Sequence, residues 1–83
     1  MENAEIYEYL LQLLKETLED DSLDESKITM ETDVFGELGL NSISGLYVAM
    51  AIEDHYGIRI SNENAANLRT VGDFIAYIKE HAA

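Results

Sequence analysis

Few side chains in this sequence could do chemistry, and Ser42 is the one whose setting most needs an explanation. It follows an acidic, loop-like segment that ends in Gly39-Leu40-Asn41, and it precedes the most apolar stretch of the chain, which begins at Ile43. If that stretch is a helix, Asn41 or Ser42 can be its N-cap, accepting a hydrogen bond from an unpaired backbone N–H. Alternatively, Ser42 presents its hydroxyl for modification, where free N–H groups and the helix dipole favour a phosphate.

Catalysis by Ser42 itself would require a neighbouring base and an oxyanion hole. The imidazoles of the sequence are His55 and His81, and no nucleophile elbow surrounds Ser42. His55 lies more than three helical turns after Ser42, which is beyond hydrogen-bond reach. We therefore expect no enzymatic activity of the chain's own.

Metal binding is also a weak interpretation. Four oxygen-bearing side chains stand at the first, third, fifth and twelfth positions of a calcium loop: Asp20, Ser22, Asp24 and Glu31. However, Glu25 occupies the position that needs glycine, and Lys27 follows closely. Because the chain has no cysteine, it has neither a disulfide framework nor a thiolate metal site. We predict no metal centre.

The charge of the chain restricts its partners. Seventeen acidic residues against five basic ones give a net charge of -12. Twelve of the acids lie in residues 1–40, against Lys15 and Lys27 alone. This balance argues against nucleic acid and anionic membrane surfaces, and it favours a partner with a basic face. The alternative is that the acids only form a solvated, solubilising surface.

Length and hydropathy indicate one small domain spanning residues 1–83. No run approaches the roughly 18 apolar residues of a membrane span, and the amino terminus lacks the basic and apolar regions of a signal peptide. We expect a cytoplasmic monomer that is not inserted in a membrane.

Apolar periodicity predicts a first helix from Ala4 to Glu19 with Asn3 as its cap, and a second from Ser42 to Tyr56 that ends at Gly57. Between them lies a long loop with bends at Gly36 and Gly39. Its apolar anchors are Leu23, Ile28, Met30, Val34, Phe35, Leu38 and Leu40.

The second helix is too apolar to have one buried face only. On a helical wheel, its side chains form two stripes. The first can line the core, and the second either packs on further protein of this chain or faces a partner. The stripes are Ala49, Ile52 and Tyr56, and Ile43, Tyr47, Met50 and Asp54. Gly45 weakens a helix interior by about 1 kcal/mol relative to alanine, which indicates that another group approaches closely there.

The last third of the chain completes an all-α pattern. Ile58-Arg59-Ile60 is a short extended connection, and Ser61 can cap a short helix from Asn62 to Leu68. Thr70-Val71-Gly72-Asp73 matches a capping box, which begins a last helix from Val71 to His81. The predicted architecture is a four-helix bundle of three main helices, one short helix and a long first loop.

Three segments resemble the acyl carrier protein family, and the similarity covers nearly the whole chain. They are Leu38-Gly39-Leu40-Asn41-Ser42-Ile43, Glu53-Asp54-His55-Tyr56-Gly57-Ile58-Arg59-Ile60, and Thr70-Val71-Gly72-Asp73-Phe74-Ile75. The resemblance implies that Ser42 carries a 4'-phosphopantetheine arm, flanked by the motif residues Gly39, Leu40, Asn41 and Ile43. It also implies that a phosphopantetheinyl transferase attaches the arm from coenzyme A, and that intermediates ride on its thiol as thioesters.

Two departures from the family pattern concern recognition. The commonest motif has aspartate where this chain has Asn41, and the second helix of fatty-acid carriers is usually strongly acidic where this chain has Tyr47. The resemblance implies that this helix faces loading and processing enzymes through Ile43, Leu46, Tyr47, Met50, Glu53 and Asp54. It leaves open an acyl carrier of fatty-acid-like or polyketide synthesis and an aminoacyl or peptidyl carrier. An all-α interaction domain with Ser42 as a mere cap is the remaining alternative.

Overall fold

The computed structural model describes residues 3–19 and 25–82. Its elements are α1 (Asn3–Leu18), a single 3-10 turn (Glu25–Lys27), α2 (Ser42–Tyr56), α3 (Asn62–Ala65) and α4 (Val71–His81). Within these ranges, extended pairing is limited to one isolated antiparallel bridge between Asp33 and Thr70. The predicted all-α four-helix bundle is therefore confirmed.

Helix α1 is the amphipathic element around which the core forms. Ile6, Leu10 and Leu14 are fully buried, and α1 packs against both α2 and α4. The helix starts and stops one residue earlier than predicted. Asn3 is its first residue rather than its cap, and Glu19 leaves the helix with a φ of 53°, in the left-handed region.

The loop between α1 and α2 is held down by its own apolar side chains and by backbone bonds to the segment before α4. Ile28, Val34 and Leu40 are buried, as predicted. The backbone N–H of Val34 donates to Arg69 O at 2.8 Å, and the N–H of Val71 donates to Thr32 O at 3.0 Å. These bonds fix the loop in one place despite its lack of secondary structure.

One prediction about this loop is wrong, and another lies outside the described residues. Met30 is 45% exposed and does not anchor the loop through its side chain; its carbonyl instead accepts the Gly72 N–H at 2.8 Å. Gly39 makes the predicted bend with a φ of 87°, and Gly36 lies in the predicted turn with its N–H donating to Asp33 Oδ1 at 3.0 Å, although its φ is outside the left-handed region. Leu23 falls between the described ranges.

Helix α3 is shorter than the predicted helix from Asn62 to Leu68. Ser61 caps it as expected, with Oγ accepting the Asn64 N–H at 3.1 Å. After Ala65 the backbone bonds tighten: Asn67 N–H donates to Asn64 O, and Leu68 N–H donates to Ala65 O at 3.2 Å. These bonds to the third residue back end the α-helix and direct Leu68 into the core.

Helix α4 begins at the predicted capping box. Asp73 N–H donates to Thr70 Oγ1 at 3.0 Å, and Thr70 N–H donates to Asp73 Oδ2 at 3.1 Å. The Thr70 N–H bond is the main reason why the pKa of Asp73 lies below its ordinary value. Phe74, Ile75 and Ile78 then complete the core from the α4 side.

In the part of the chain that the structure describes, no helix has the length and apolar character that a membrane crossing requires. The most apolar helix, α2, has 15 residues.

Candidate functional site

Asn41, and not Ser42, caps α2. Its Oδ1 accepts the N–H groups of Ile43 and Ser44, each at 2.9 Å, and its carbonyl accepts the Gly45 N–H at 2.8 Å. Ser42 is the first helical residue, and its side chain is exposed. Its hydroxyl makes no hydrogen bond to any residue that the structure describes. The capping role is therefore filled by a neighbour, and the Ser42 hydroxyl is accessible for reaction.

The two-pronged cap changes the expected anion site at this helix end. The N–H groups of Ile43 and Ser44 are already engaged by Asn41, so they are not free to receive a phosphate as the sequence predicted. The positive end of the helix dipole remains, and no acidic residue lies in the first turn of α2 to oppose an anion. A phosphate on Ser42 would thus be favoured by the dipole more than by free donors.

The two motif residues before Asn41 set the entry of the chain into α2. Leu40 is buried, and its N–H donates to Val34 O at 3.1 Å. Gly39, with its positive φ, donates its N–H to Phe35 O at 3.1 Å. This compact turn holds Ser42 at the surface. Ile43, the flank on the other side, is 82% exposed.

Gly45 lies one turn into α2, and the close approach predicted there is confirmed. A Cβ atom at this position would lie 2.9 Å from Cε1 of Phe35, closer than a real contact allows. The approaching group is thus a side chain of the long loop. The glycine lets the Phe35 ring lie directly against the α2 backbone.

A cavity of about 260 Å³ opens beside Ser42, between α2, α3 and the start of α4. Its lining is mostly apolar: Phe35, Ser42, Gly45, Leu46, Ala49, Asn62, Ala65, Ala66, Leu68 and Phe74. The reasoning from sequence missed this cavity. The signal that could have indicated it is the set of small residues on the facing sides of α2 and α3, such as Gly45, Ala49 and Ala65.

The second apolar stripe of α2 faces outward. Four large apolar side chains, which we call the α2 apolar face, are exposed by 82%, 58%, 55% and 59%: Ile43, Leu46, Tyr47 and Met50. Val48, Ala49 and Ile52 on the opposite side are buried. The two-stripe prediction is confirmed as a placement of side chains. That the exposed stripe binds partner enzymes stays a prediction.

The two acids at the end of α2 are not equivalent. Glu53 is half-buried, and its Oε2 accepts the Ile60 N–H at 2.7 Å, so this carboxylate ties the α2–α3 connection to α2. Asp54 is exposed. Both residues were predicted to meet partners, and the structure gives Glu53 a structural contact as well.

His55 is at the far end of α2 from Ser42, as expected. Its ring stacks on Tyr9 of α1 with a centroid distance of 3.9 Å, and Tyr56 packs edge-on against both rings. The pKa of Tyr9 is raised, chiefly by burial and then by the Asp54 carboxylate. This cluster fastens α2 to α1 and does not supply Ser42 with a base.

Within the described ranges, 3–19 and 25–82, no group of three or more His, Asp or Glu residues is placed so that it could bind a metal ion. Three positions of the rejected calcium loop, Asp20, Ser22 and Asp24, lie outside the described residues.

The fold, with an exposed serine at the start of α2, is the one expected of a phosphopantetheine-carrying domain, and comparison with known proteins shows that class. The family model for the phosphopantetheine attachment site matches residues 8–78. The acyl carrier protein of Rhodococcus erythropolis is 34% identical over 76 residues, covering 92% of this chain and 80% of the relative. The chain belongs to the acyl carrier protein family, whose members are carriers rather than enzymes.

Two further relatives have a more specialised description. The meromycolate extension acyl carrier proteins of Mycolicibacterium aurum and Mycolicibacterium smegmatis are each 36% identical over 76 residues. These matches cover 92% of this chain, and 75% and 74% of the two relatives. Membership of the family brings with it the covalent 4'-phosphopantetheine group and the enzymes that load and process its cargo.

Proposed function

We propose that this chain carries acyl intermediates as thioesters on a 4'-phosphopantetheine arm attached to the Ser42 hydroxyl. The observation that carries the assignment to Ser42 is its unbonded, exposed hydroxyl at the first position of α2, beside an apolar cavity that Ser42 itself lines. Ser44, the neighbouring hydroxyl, is less exposed and lies further into the helix. Gly39, Leu40 and Asn41 form the turn that presents the serine, and Ile43 follows it in α2.

The residues present fit the phosphodiester that such an arm requires. The phosphate would lie at the positive end of the α2 dipole, with no acidic side chain in the first turn. In the attachment step, Ser42 Oγ forms a bond to the pyrophosphate phosphorus of coenzyme A that bears the pantetheine arm. The bond between this phosphorus and the oxygen that bridges the two phosphates breaks. Adenosine 3',5'-bisphosphate leaves, and the serine proton passes to a base. Among residues 3–19 and 25–82, none is bonded to the Ser42 hydroxyl as a base, so we assign this role to the transferase.

The cargo is acyl rather than aminoacyl in this proposal. The cavity beside Ser42 exposes much more apolar than polar surface, and none of its lining residues in the described part of the chain is charged. An aliphatic chain gains about 0.8 kcal/mol for each methylene that it buries in such a site, whereas a cationic amino group would lose hydration without a partner. Two relatives serve meromycolate extension by their names, which is consistent with fatty-acid or mycolic-type synthesis.

The partners we propose are a phosphopantetheinyl transferase and acyl-processing enzymes that dock on α2. Between Ser42 and Ile52 the helix has no charged side chain, so the α2 apolar face supplies the contact area and Asp54 a single charge at its rim. The acidic surface of residues 1–40 would attract a basic partner at longer range. We further propose that the protein works as a monomer in the cytoplasm, where coenzyme A and biosynthetic enzymes are available.

Intact-mass analysis tests this function. Two separate samples of the purified, unmodified chain are incubated with a permissive transferase and magnesium. One receives coenzyme A, and the other receives acyl-coenzyme A. The first reaction should add the mass of one phosphopantetheine group, and the second should add that mass plus the acyl group. A well-folded chain that gains neither mass would leave the all-α interaction domain as the better account.

A further inference from the structure

Phe35 is part of the lining of the cavity beside Ser42. Phe35 belongs to the long loop and is half-buried, and its ring lies against the α2 backbone at Gly45. Any larger residue at position 45 would displace this ring, since even a Cβ atom would come within 2.9 Å. The ring position is therefore set by a direct fit to the helix that carries Ser42.

Asp33 fixes the backbone of Phe35. Its Oδ1 accepts the N–H groups of Phe35 at 2.9 Å and of Gly36 at 3.0 Å, which forms a tight turn at this point of the loop. The hydrogen bonds from Gly36 and then Arg69 hold the pKa of Asp33 below its ordinary value, so the carboxylate is ionised at neutral pH.

Arg69 lies over the face of the ring. Its guanidinium donates to Asp33 Oδ2 at 2.9 Å, and its Cζ lies 5.7 Å from the centre of the Phe35 ring, within the range of a cation–π contact. The Arg69 carbonyl also accepts the Val34 N–H at 2.8 Å. The ring thus contacts Gly45 of α2 at its edge and Arg69 of the segment before α4 over its face.

We propose that Phe35 is a specificity-determining residue that limits the length of acyl chain the cavity shelters, with Asp33 and Arg69 acting as positioning residues for its ring. The proposal rests on the function proposed above. The occupant is the acyl chain tethered through Ser42, because Ser42 is part of the cavity lining. The alternative is that Phe35 only covers the core and leaves the choice of chain unaffected.

The test measures melting temperatures of the full chain loaded with straight-chain acyl groups from butanoyl to dodecanoyl, each compared with the unacylated holo form of the same variant. For a domain of this size, each additional sheltered methylene should raise the melting temperature by about 3 °C or more. In the wild type this increase should stop at a chain length set by Phe35. In Phe35→Ala it should continue to longer chains.

Matched variants separate this role from general packing. Leu38→Ala removes a half-buried apolar side chain of the same loop that does not line the cavity, so it should lower all melting temperatures without moving the limiting chain length. Phe35→Leu keeps an apolar side chain and should move the limit by a smaller amount than Phe35→Ala. Arg69→Gln and Asp33→Asn, the latter retaining an Oδ1 acceptor, should still accept acyl groups. In both, the melting temperature should level off over a wider range of chain lengths than in the wild type.

A second readout does not depend on stability. In the wild type loaded with a chain at the limiting length, nuclear Overhauser effects should connect the terminal acyl protons with the Phe35 ring protons. The same limiting length in the wild type, Phe35→Ala and Phe35→Leu would overturn the inference. Failure of the wild type to accept the arm at all would overturn the proposed function, and this inference with it.

Discussion

Replacement of Tyr47 by alanine tests how this carrier meets its enzymes. Tyr47 is 55% exposed near the middle of the α2 apolar face, so its truncation removes little that the folded protein uses. Exposed substitutions of this kind usually change stability by no more than about 0.5 kcal/mol. We therefore expect Tyr47→Ala to melt within a few degrees of the wild type.

The effect on docking should be much larger than the effect on stability. Truncating an aromatic anchor at the centre of an interface commonly costs about 2 kcal/mol or more, which is roughly a 30-fold loss of affinity. The assay is the kcat/KM of the cognate loading enzyme with the holo carrier as the varied substrate. Tyr47→Ala should lower this value by about that factor.

The matched control is Asp54→Asn. Glu53→Gln would be a poorer control, because Glu53 accepts the Ile60 N–H and its replacement would also disturb the fold. A rim charge such as Asp54 should contribute less than about 1 kcal/mol, and its effect should shrink with added salt. Equal kcat/KM values for Tyr47→Ala and Asp54→Asn, or a large drop in the melting temperature of Tyr47→Ala, would refute the reasoning.

Three further predictions concern stability. A net charge of -12 should make the melting temperature rise with added salt or millimolar magnesium, because counterions screen repulsion among exposed acids; an unchanged value would show that the fold already offsets it. Loss of the two-pronged cap in Asn41→Ala should lower the free energy of unfolding by about 1 kcal/mol, whereas Asn41→Asp should keep or increase it; chemical denaturation measures both. Because the pKa of Asp73 is lowered in the folded state, its carboxylate stabilises the fold fully above the ordinary carboxyl pKa, and this stabilisation is lost at lower pH. The difference in unfolding free energy between the wild type and Asp73→Asn should therefore narrow below about pH 4. A difference independent of pH would contradict this.

The helix boundaries that the sequence predicted well are those with a local cause. Gly57 ends α2 in the left-handed conformation, and Thr70 with Asp73 begins α4 through bonds only three residues apart. Such signals need no knowledge of the rest of the fold. The end of α3 was predicted less well, because the departure after Ala65 depends on the burial of Leu68 in a core made by other elements.

The candidate site could be predicted only where its residues are adjacent in sequence. The turn that presents Ser42 and the exposed stripe of α2 follow from local spacing. The cavity does not, because it joins Phe35, Leu68 and Phe74 from separate segments. The same reason explains Glu53, whose hydrogen-bond partner Ile60 lies in the irregular connection after the helix. Neither the cavity nor the Glu53–Ile60 hydrogen bond corresponds to a periodic pattern in the sequence.

The central claim, that Ser42 is the sole attachment point of the arm, is tested most directly by mass spectrometry of three chains. The wild type, Ser42→Ala and Ser44→Ala are each incubated with coenzyme A, magnesium and a permissive transferase, and fragment spectra locate any added phosphopantetheine. The wild type and Ser44→Ala should each gain one group, placed on Ser42, and Ser42→Ala should gain none. A Ser42→Ala chain that still gains the group, while Ser44→Ala does not, would contradict the account.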